Sequence, residues 1–355
     1  KGAVKRIFLG ALLIGIGALI LGGCGSSTEE TQSEQEKTAS AKKEDDKIQI
    51  GLTVDSFVIE RWIRDRGVFV AAAREMGADV NVQDAGADAK EQISQIEYFI
   101  SKQVDVIVVI ARDCGALSDV IQKAQNAGIP VISYDRMINN SNTNLYISFD
   151  NRKVGEIMAQ ALIDAIPQGG DIFMIQGSST DNNVHMLKKG FDDVLKNSDL
   201  NVVYEGWMAE LAEGYMEEAL EKYPHVKGIM CGNDDIASQV VEVLAENQMA
   251  GDVIVVGQDG DLAACQRIVE GTQYMTAFKP IEDLAREAAK YAVEIGSGKD
   301  PSELEGVTET VNDGTYDVPS RILEPIAVTK ENIDKVIIDG GFHRRDEVYL
   351  NADYS

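Results

Sequence analysis

Polar side chains that could bind a small hydroxylated molecule recur directly after short apolar runs of this chain. The fourth such run is followed by Asp135 and Arg136, the eighth by Asn233, the ninth by Asp259 and the tenth by Lys279. A hydroxyl group both donates and accepts a hydrogen bond, and a fixed carboxylate, amide or guanidinium group can satisfy two neighbouring hydroxyls. This set of residues is therefore typical of a site that binds an uncharged polyol.

Four further candidates stand near the predicted starts of helices. Arg61 and Trp62 follow the turn after the first apolar run, and Asp181 and Asn183 follow the sixth run after a short loop. The face of Trp62 could cover the C–H face of a sugar ring by apolar contact, whereas Trp207, the other tryptophan, makes the weakest case. Each polar residue could instead cap the helix after it. Their recurrence at equivalent positions favours binding.

The sequence contains no group of residues that is typical of a catalytic or cofactor site. His185, His225 and His343 are the only histidines and lie in unrelated segments, and acid–base or nucleophilic catalysis needs such groups placed together. The folded region contains no HExxH, GxSxG, GxxxxGK[ST] or GxGxxG pattern. The sequence predicts a protein that is not an enzyme and that uses no cofactor or metal.

The candidate residues belong to a regular alternation of apolar runs and helical patterns. Ten runs are interpreted as strands: 48–54, 80–83, 104–110, 130–134, 145–149, 172–175, 202–204, 228–230, 253–256 and 274–278. Between them lie segments whose apolar residues recur every three or four positions, such as 61–76 and 281–295. Apolar strands separated by helices form parallel sheets. The pattern predicts an α/β fold with two doubly wound parallel sheets of about five strands each, and ligands bind beyond the carboxyl ends of such strands.

The beginning of the chain indicates export. Three basic residues precede an uncharged run at 7–23, which ends in small residues before Cys24. This order is typical of a lipoprotein signal peptide at 1–23 with a lipid attached to Cys24; the alternative is an uncleaved membrane helix. Residues 24–47, the lipidated cysteine and an acidic stretch without large apolar residues, are predicted to form a disordered tether. We expect an extracytoplasmic protein anchored to the cell membrane.

Charge, length and cysteine content narrow the possibilities further. The formal net charge of −26 over 355 residues repels nucleic acid and favours a soluble monomer. The length suits two lobes rather than one core. Apart from Cys24, the cysteines Cys114, Cys231 and Cys265 are widely spaced and fit no metal or disulfide framework, so they are interpreted as structural thiols.

Several longer segments resemble the type I periplasmic binding proteins of bacterial ABC sugar transporters, the family of the ribose and galactose binders. The segments are IERW at 59–62, SQIE at 94–97, YDRMIN at 134–139, YISFDN at 146–151, DNN at 181–183, GQD at 257–259, KPI at 279–281 and DVPSR at 317–321. The resemblance covers about 48–344. It implies two lobes that close on one sugar across a three-crossing hinge, near 150–154, 278–281 and 316–320.

The resemblance also implies lobe boundaries and residue roles. The N-terminal lobe would comprise 48–152 and 281–317, the C-terminal lobe 153–280 and 318–346, and a tail 347–355. The expected ligand is a pentose, D-xylose or a related sugar. Hydrogen bonds to it would come from Arg61, Asp135, Arg136, Asn183, Asn233, Asp259 and Lys279, with Asp181 close by and Trp62 stacked on one sugar face. The chain departs from the family pattern at 206–217, where the second stacking aromatic would lie.

The partners implied are the transmembrane permease subunits of an ABC transporter. A sensory accessory protein that presents its closed form to a membrane histidine kinase or chemoreceptor is the alternative, and its cleft would contain the same residues. A repressor with the same lobes is excluded, since the leader and the acidic tether occupy the place of a DNA-binding module.

Overall fold

The computed structural model of the chain describes residues 47–352. The predicted leader, the lipid site at Cys24, nearly all of the tether and the last three residues lie outside the described residues. The strands are β1 Gln49–Val54, β2 Asp79–Asp84, β3 Val106–Val109, β4 Val131–Tyr134, β5 Leu145–Phe149, β6 Gly170–Ile175, β7 Leu200–Gly206, β8 Gly228–Cys231, β9 Ile254–Gln258, β10 Met275–Phe278, β11 Glu309–Asn312, β12 Asp317–Leu323 and β13 Ile326–Thr329. The helices are α1 Glu60–Glu75, α2 Ala89–Ser101, α3 Ser118–Asn126, α4 Asn151–Ala165, α5 Asn182–Leu195, α6 Ala212–Lys222, α7 Asp234–Glu246, α8 Leu262–Glu270, α9 Ile281–Gly296 and α10 Arg345–Val348.

The strands form two sheets, one in each lobe. The first has the order β11-β12-β5-β4-β3-β1-β2 and the second the order β13-β10-β9-β8-β6-β7. All neighbouring strands are parallel except the edge strands β11 and β13. The predicted α/β fold with two doubly wound lobes is therefore confirmed. The expected five strands per sheet were too few, because β11, β12 and β13 carry polar or half-exposed residues and contain no continuous apolar run.

Alternate residues of the central strands pack on opposite faces of the first sheet. Val106 and Val108 in β3 contact the core beneath α1 and α9, whereas Ile107 and Val109 contact the core beneath α2 and α3. In the second lobe, α4 and α5 cover one face and α6 and α7 the other. β-Branched residues fit such a sheet, which is covered on both sides.

The chain passes between the lobes three times, at 149–151, at 278–281 and at 323–326. The third crossing was expected near 316–320 with a lobe boundary at 318, and this prediction is wrong. Strand β12 pairs in parallel with β5 from Ser320 opposite Tyr146 to Leu323 opposite Phe149, so it belongs to the first sheet. Val318 and Ser320 alternate inward with half-exposed neighbours, which hides this strand from a search for apolar runs.

The predicted tail from residue 347 also begins too early. Val348 is only 1% exposed and packs in the apolar cluster that contains Ile268, Ile333 and Ile337. Helix α10 lies against α8, so the second lobe extends beyond residue 346. Val348, with Tyr349 and Ala352 packed against the same cluster, ties the segment to the lobe.

Two close contacts fix α5, whose first turn contributes to the site, against α4. A Cβ atom at Gly155 in α4 would lie 1.9 Å from the carbonyl oxygen of Leu187, and one at Gly190 in α5 would lie 2.0 Å from the carbonyl oxygen of Arg152. The two helix backbones therefore touch, which only glycine permits at these positions.

None of the helices between residues 47 and 352 has the length and apolarity that a bilayer crossing requires. Within the same residues, no group of three or more His, Cys, Asp or Glu side chains is arranged to hold a metal ion. Cys114, Cys231 and Cys265 are free and buried, and burial raises the pKa of Cys114 to about 12.

Candidate functional site

A cavity between the two sheets collects the side chains that the sequence analysis selected. It has a volume of about 100 Å³. All nine predicted binding residues line it: Arg61, Trp62, Asp135, Arg136, Asp181, Asn183, Asn233, Asp259 and Lys279. Pockets for drug-sized ligands measure roughly 300–1,000 Å³. This cavity therefore suits one small molecule.

The first lobe supplies residues from a helix start and from a strand end. Arg61 and Trp62 lie in the first turn of α1, whereas Asp135 and Arg136 follow β4 directly. The backbone of Asp135 has a φ of 63°, in the left-handed region that few side chains adopt without cost. In the second lobe Asp259 has a φ of 103°. Such strained positions often mark functional sites.

The second lobe supplies residues that also cap helices. The Asp181 carboxylate accepts from the backbone N–H of Asn183 at 2.9 Å, at the start of α5. The Asn233 side-chain oxygen accepts from the backbone N–H of Ile236 at 2.9 Å, at the start of α7. Capping and lining the cavity are therefore not exclusive. The cap fixes each side chain while its remaining polar atoms stay available.

Arg61 is the centre of a buried ionic network. Its Nη2 donates to Asp135 at 2.5 Å and its Nε to Asp65 at 3.3 Å, and its Nη1 lies 3.8 Å from Asp259. Burial opposes the charge of Arg61, but these carboxylates outweigh it and raise the pKa of the guanidinium. Burial likewise opposes the charge of Asp135, yet Arg61, Lys279 and Arg136 hold its pKa below the ordinary value. Both groups are charged at neutral pH.

Arg136 is held by both lobes. Its Nη1 donates to Asp55 at 2.7 Å and to the carbonyl oxygen of Ala111 at 2.8 Å. Its Nε lies 2.9 Å from an Asp181 oxygen in the second lobe. Burial works against this charge, but Asp181 and Asp55 raise the pKa of Arg136 above its ordinary value. Contacts from both lobes therefore fix the orientation of the guanidinium.

Trp62 and Lys279 both line the cavity, and each is only 3% exposed. Cations lie beside Trp62, whereas a carboxylate lies beside Lys279. The guanidinium carbons of Arg61 and Arg136 lie 4.5 and 5.3 Å from the centre of the Trp62 ring. The Lys279 Nζ lies 3.1 Å from Asp259. Since Lys279 directly follows β10, it stands at the second crossing between the lobes.

Charges of opposite sign are matched throughout the cavity. Its lining contains the cations Arg61, Arg112, Arg136 and Lys279 and the anions Asp55, Asp135, Asp181, Glu210 and Asp259. Every one of these cations lies within ion-pair distance of an anion from the same set. A charged ligand would have to break these pairs, whereas an uncharged one can use their remaining hydrogen-bonding capacity.

Unsatisfied polar atoms concentrate at this cavity. In the part of the chain that the structure describes, nine buried side-chain nitrogen or oxygen atoms make no hydrogen bond, and eight of them belong to cavity residues. Three of the eight, Asp55 Oδ1, Arg136 Nε and Asp259 Oδ1, take part in ion pairs. The other five have no polar partner: Trp62 Nε1, Gln176 Nε2 and Oε1, Asn183 Oδ1 and Gln258 Oε1. Buried polar atoms are normally paired. Donors and acceptors are thus left for a bound molecule.

Five charged or amide residues of the cavity were not predicted from the sequence: Asp55, Arg112, Gln176, Glu210 and Gln258. Asp55 and Gln176 stand immediately after β1 and β6, and Gln258 is the last residue of β9. Inspecting the first residue after every strand would have found Asp55 and Gln176. Arg112 and Glu210 belong to longer loops and carry no such signal.

Trp207, the weakest candidate, is not among the residues that line the cavity. Its ring lies 5.9 Å from that of His185, centre to centre. Ala209 and Glu210 of the following segment line the cavity instead. The departure at 206–217 therefore leaves this side of the cavity without an aromatic wall.

Two lobes that enclose a small polar cavity at the ends of their strands define a binding protein for a small uncharged ligand. Residues 50–300 match the family model described as a periplasmic binding protein domain. The chain is 42% identical over 310 residues to the D-xylose-binding periplasmic protein of Escherichia coli, covering 85% of this chain and 92% of that protein. It is 41% identical over 311 residues to the protein of the same name from Haemophilus influenzae, with 85% and 92% covered.

A solved structure of a sugar-binding transport protein has the same fold. An ABC transporter solute-binding protein from Clostridium phytofermentans, with β-D-glucose bound, has a TM-score of 0.76 at 28% identity and covers 84% of this chain and 99% of that one. The chain therefore belongs to the periplasmic binding protein family, in the type I group that serves sugar ABC transporters. Proteins of this family act outside the cytoplasm as transport components without enzymatic activity, so the predictions of an extracytoplasmic, non-enzymatic protein are confirmed.

Proposed function

We propose that this protein captures D-xylose, or a closely related pentose, by closing its lobes and then delivers the sugar to an ABC permease. The observation that carries the proposal is the pairing of every cation in the cavity together with five buried polar atoms that have neither a hydrogen bond nor an ion pair. This arrangement favours an uncharged, densely hydroxylated ligand over a sugar acid or sugar phosphate. The choice of D-xylose rests on the two relatives that carry its name.

The nine cavity residues take the roles expected from the sequence. Arg61, Asp135, Arg136, Asn183, Asn233, Asp259 and Lys279 would hydrogen-bond the sugar, with Asp181 orienting Arg136 and Trp62 covering a C–H face. Hydrogen bonds to charged groups contribute roughly 1.5–3 kcal/mol each. Several together exceed the entropy cost of holding a small ligand.

Closure is proposed as a population shift. The sugar would contact both lobes, which divide at the three observed crossings, and would therefore favour the closed state. The closed form would present one continuous surface to the permease. A membrane histidine kinase or chemoreceptor is the alternative partner for the same form, and uptake of labelled D-xylose by cells lacking this protein separates the two: lost uptake supports the permease.

The decisive binding experiment is isothermal titration calorimetry with D-xylose, D-ribose, L-arabinose, D-glucose and D-xylonate. We expect the tightest binding for D-xylose and the weakest for the anion D-xylonate. Absence of binding to every neutral sugar would overturn the proposal. Thermal unfolding with the same sugars gives an independent ranking, since a ligand of the folded state alone raises the melting temperature.

The mature protein is proposed to be a monomer held at the membrane by a lipid on Cys24. In a bacterial host that expresses the full chain, Cys24→Ser should abolish incorporation of labelled palmitate and release the protein from the membrane fraction. Cys114→Ser, which changes a buried cysteine of the folded region, is the matched control and should stay membrane-bound. Membrane retention of Cys24→Ser without label would favour the uncleaved helix instead.

A further inference from the structure

Gln176 differs from the other buried glutamines of the described chain. Four glutamines are almost fully buried there: Gln92, Gln95, Gln176 and Gln273. The amides of Gln92, Gln95 and Gln273 each donate and accept hydrogen bonds within the protein. Gln176 is 1% exposed, yet neither its Nε2 nor its Oε1 has a partner. Burial without partners is costly, so this amide is positioned for something that the protein itself does not supply.

Gln176 lies in the wall of the sugar cavity. It follows β6 directly, and its backbone N–H donates to the carbonyl oxygen of Gly206 at 2.8 Å, so the main chain is already fixed. Gly232, at the end of the neighbouring strand β8, lets the two strand ends approach: a Cβ atom there would lie 3.2 Å from the Gln176 Cα. Both residues line the cavity. The side chain is therefore not needed to hold this corner together.

Gln258, at the end of β9 on the other side of β8, shows the contrast. Its Nε2 donates to the carbonyl oxygen of Gly232 at 2.5 Å, and only its Oε1 remains without a partner. The amide donor of Gln258 is thus used in a hydrogen bond to the main chain, whereas the donor and the acceptor of Gln176 both remain available. The two amides extend the polar wall of the second lobe beyond Asn233 and Asp259.

We propose that Gln176 is a specificity-determining residue that binds two adjacent hydroxyl groups of the sugar, a step that rests on the proposed function. Its Nε2 donates to one hydroxyl oxygen while its Oε1 accepts from the neighbouring hydroxyl. A primary amide presents the donor and the acceptor side by side, which matches a vicinal diol and not an isolated hydroxyl. Being uncharged, it adds this discrimination without disturbing the balance of charges in the cavity.

The test combines a side-chain change with a set of deoxy sugars. Gln176→Met keeps the volume but removes both polar atoms, and we expect it to weaken D-xylose binding roughly 10- to 100-fold in calorimetry. With each of the two deoxy-xyloses that lack one of the contacted hydroxyls, the same substitution should cost roughly 3- to 10-fold, about half as much in free energy, because one of the two partners is already gone. Gln160→Met, on the exposed side of α4, is the matched control and should bind like wild type.

A second readout separates contact from scaffolding. Since Gln176→Met removes a buried unpaired amide, the melting temperature of the sugar-free protein should stay equal or rise, while the shift caused by D-xylose shrinks. Gln176→Glu keeps the shape and an acceptor but loses the donor, and should also weaken binding.

Three results would overturn the assignment: wild-type affinity in Gln176→Met, an equal loss for every deoxy sugar, or a fall in sugar-free melting temperature that accounts for the lost affinity. Failure of the wild-type protein to bind any neutral sugar would instead refute the proposed function itself.

Discussion

Asp135 shows how neighbouring polar groups hold the side chains of the cavity in place. Asp135 accepts from Arg61 of its own lobe at 2.5 Å and from the Asn183 Nδ2 of the other lobe at 2.8 Å. Its carbonyl oxygen accepts from Ser148 at 2.6 Å, which fixes the main chain. One carboxylate thus orients the principal guanidinium and also joins the lobes.

Replacing Asp135 by asparagine tests this role with little change of shape. Asparagine tolerates a positive φ and can still accept from Asn183, but the charge that Arg61 and Lys279 face is lost. We expect the affinity for D-xylose to fall by about 2–3 kcal/mol in calorimetry. Asp252→Asn, an exposed carboxylate outside the cavity, is the control. A dissociation constant within about twofold of wild type would contradict the assigned network.

The residue types predicted much of this site, but not how they are paired. A polar residue after an apolar run is visible in the sequence, which is how Asp135, Asn233, Asp259 and Lys279 were selected. The same rule should have selected Gln176. The contact between Asp135 and Asn183 could not be predicted, because the two residues come from different lobes and meet only when the lobes are closed.

The cavity residues stand at the ends of strands and at the starts of helices. Strand ends of both sheets and the first turns of α1, α5 and α7 surround the cavity. The central strands were predictable because their residues are buried on both faces, as the fully buried β3 and β8 show. β12 was assigned to the wrong lobe because it alternates buried and half-exposed residues around Pro319.

The start of α5 also touches the first lobe outside the sugar cavity. The Asn182 Nδ2 donates to the carbonyl oxygen of Met137 at 2.9 Å and to the Asn139 side chain. Nearby, the backbone N–H of Cys114 donates to the carbonyl oxygen of Thr180 at 3.2 Å. These bonds join the lobes without using any residue that lines the cavity, so they stabilise the closed state directly.

Asn182→Ala should therefore weaken sugar binding although Asn182 does not line the cavity. Apparent affinity falls with the fraction of molecules able to close, and losing these hydrogen bonds is expected to raise the dissociation constant roughly 3- to 10-fold. Small-angle scattering should show a larger radius of gyration for the sugar-free variant. Asn201→Ala, exposed on β7, provides the comparison. If Asn182→Ala left both the dissociation constant and the radius of gyration unchanged, the hydrogen bonds of Asn182 would not contribute to lobe closure.

The glycine contact between α4 and α5 gives a prediction for stability. Gly155→Ala places a Cβ atom 1.9 Å from the Leu187 carbonyl oxygen, so the helices must separate. We expect the free energy of unfolding in urea to fall by about 2–3 kcal/mol, with weaker sugar binding because α5 carries Asn183. Gly67→Ala in α1 has open space around it and should instead raise stability by up to about 1 kcal/mol. Similar effects of the two changes would argue against the contact.

At the scale of the whole molecule, the chain is strongly acidic while its cavity is nearly balanced. The formal net charge is −26, yet the buried cations of the cavity are all matched by neighbouring carboxylates. The surface charge keeps the protein soluble and repels anions. It has no first-order effect on a neutral sugar, whose binding depends on hydrogen bonds inside the cavity.

The contrast between the acidic surface and the charge-balanced cavity predicts how the affinity for D-xylose responds to salt. Exposed charges are screened strongly at high ionic strength, whereas buried pairs are screened much less. The dissociation constant for D-xylose should therefore change less than about twofold between 20 and 500 mM sodium chloride, because neither the ligand nor the paired cavity groups present an unscreened charge. D-Xylonate should bind at least about 100-fold more weakly, since its carboxylate enters a cavity without a free cation. Calorimetry at the two salt concentrations measures both effects. Strong weakening of D-xylose binding by salt would mean that closure depends on exposed charges between the lobes, and tight binding of D-xylonate would mean that one of the cavity cations is available after all.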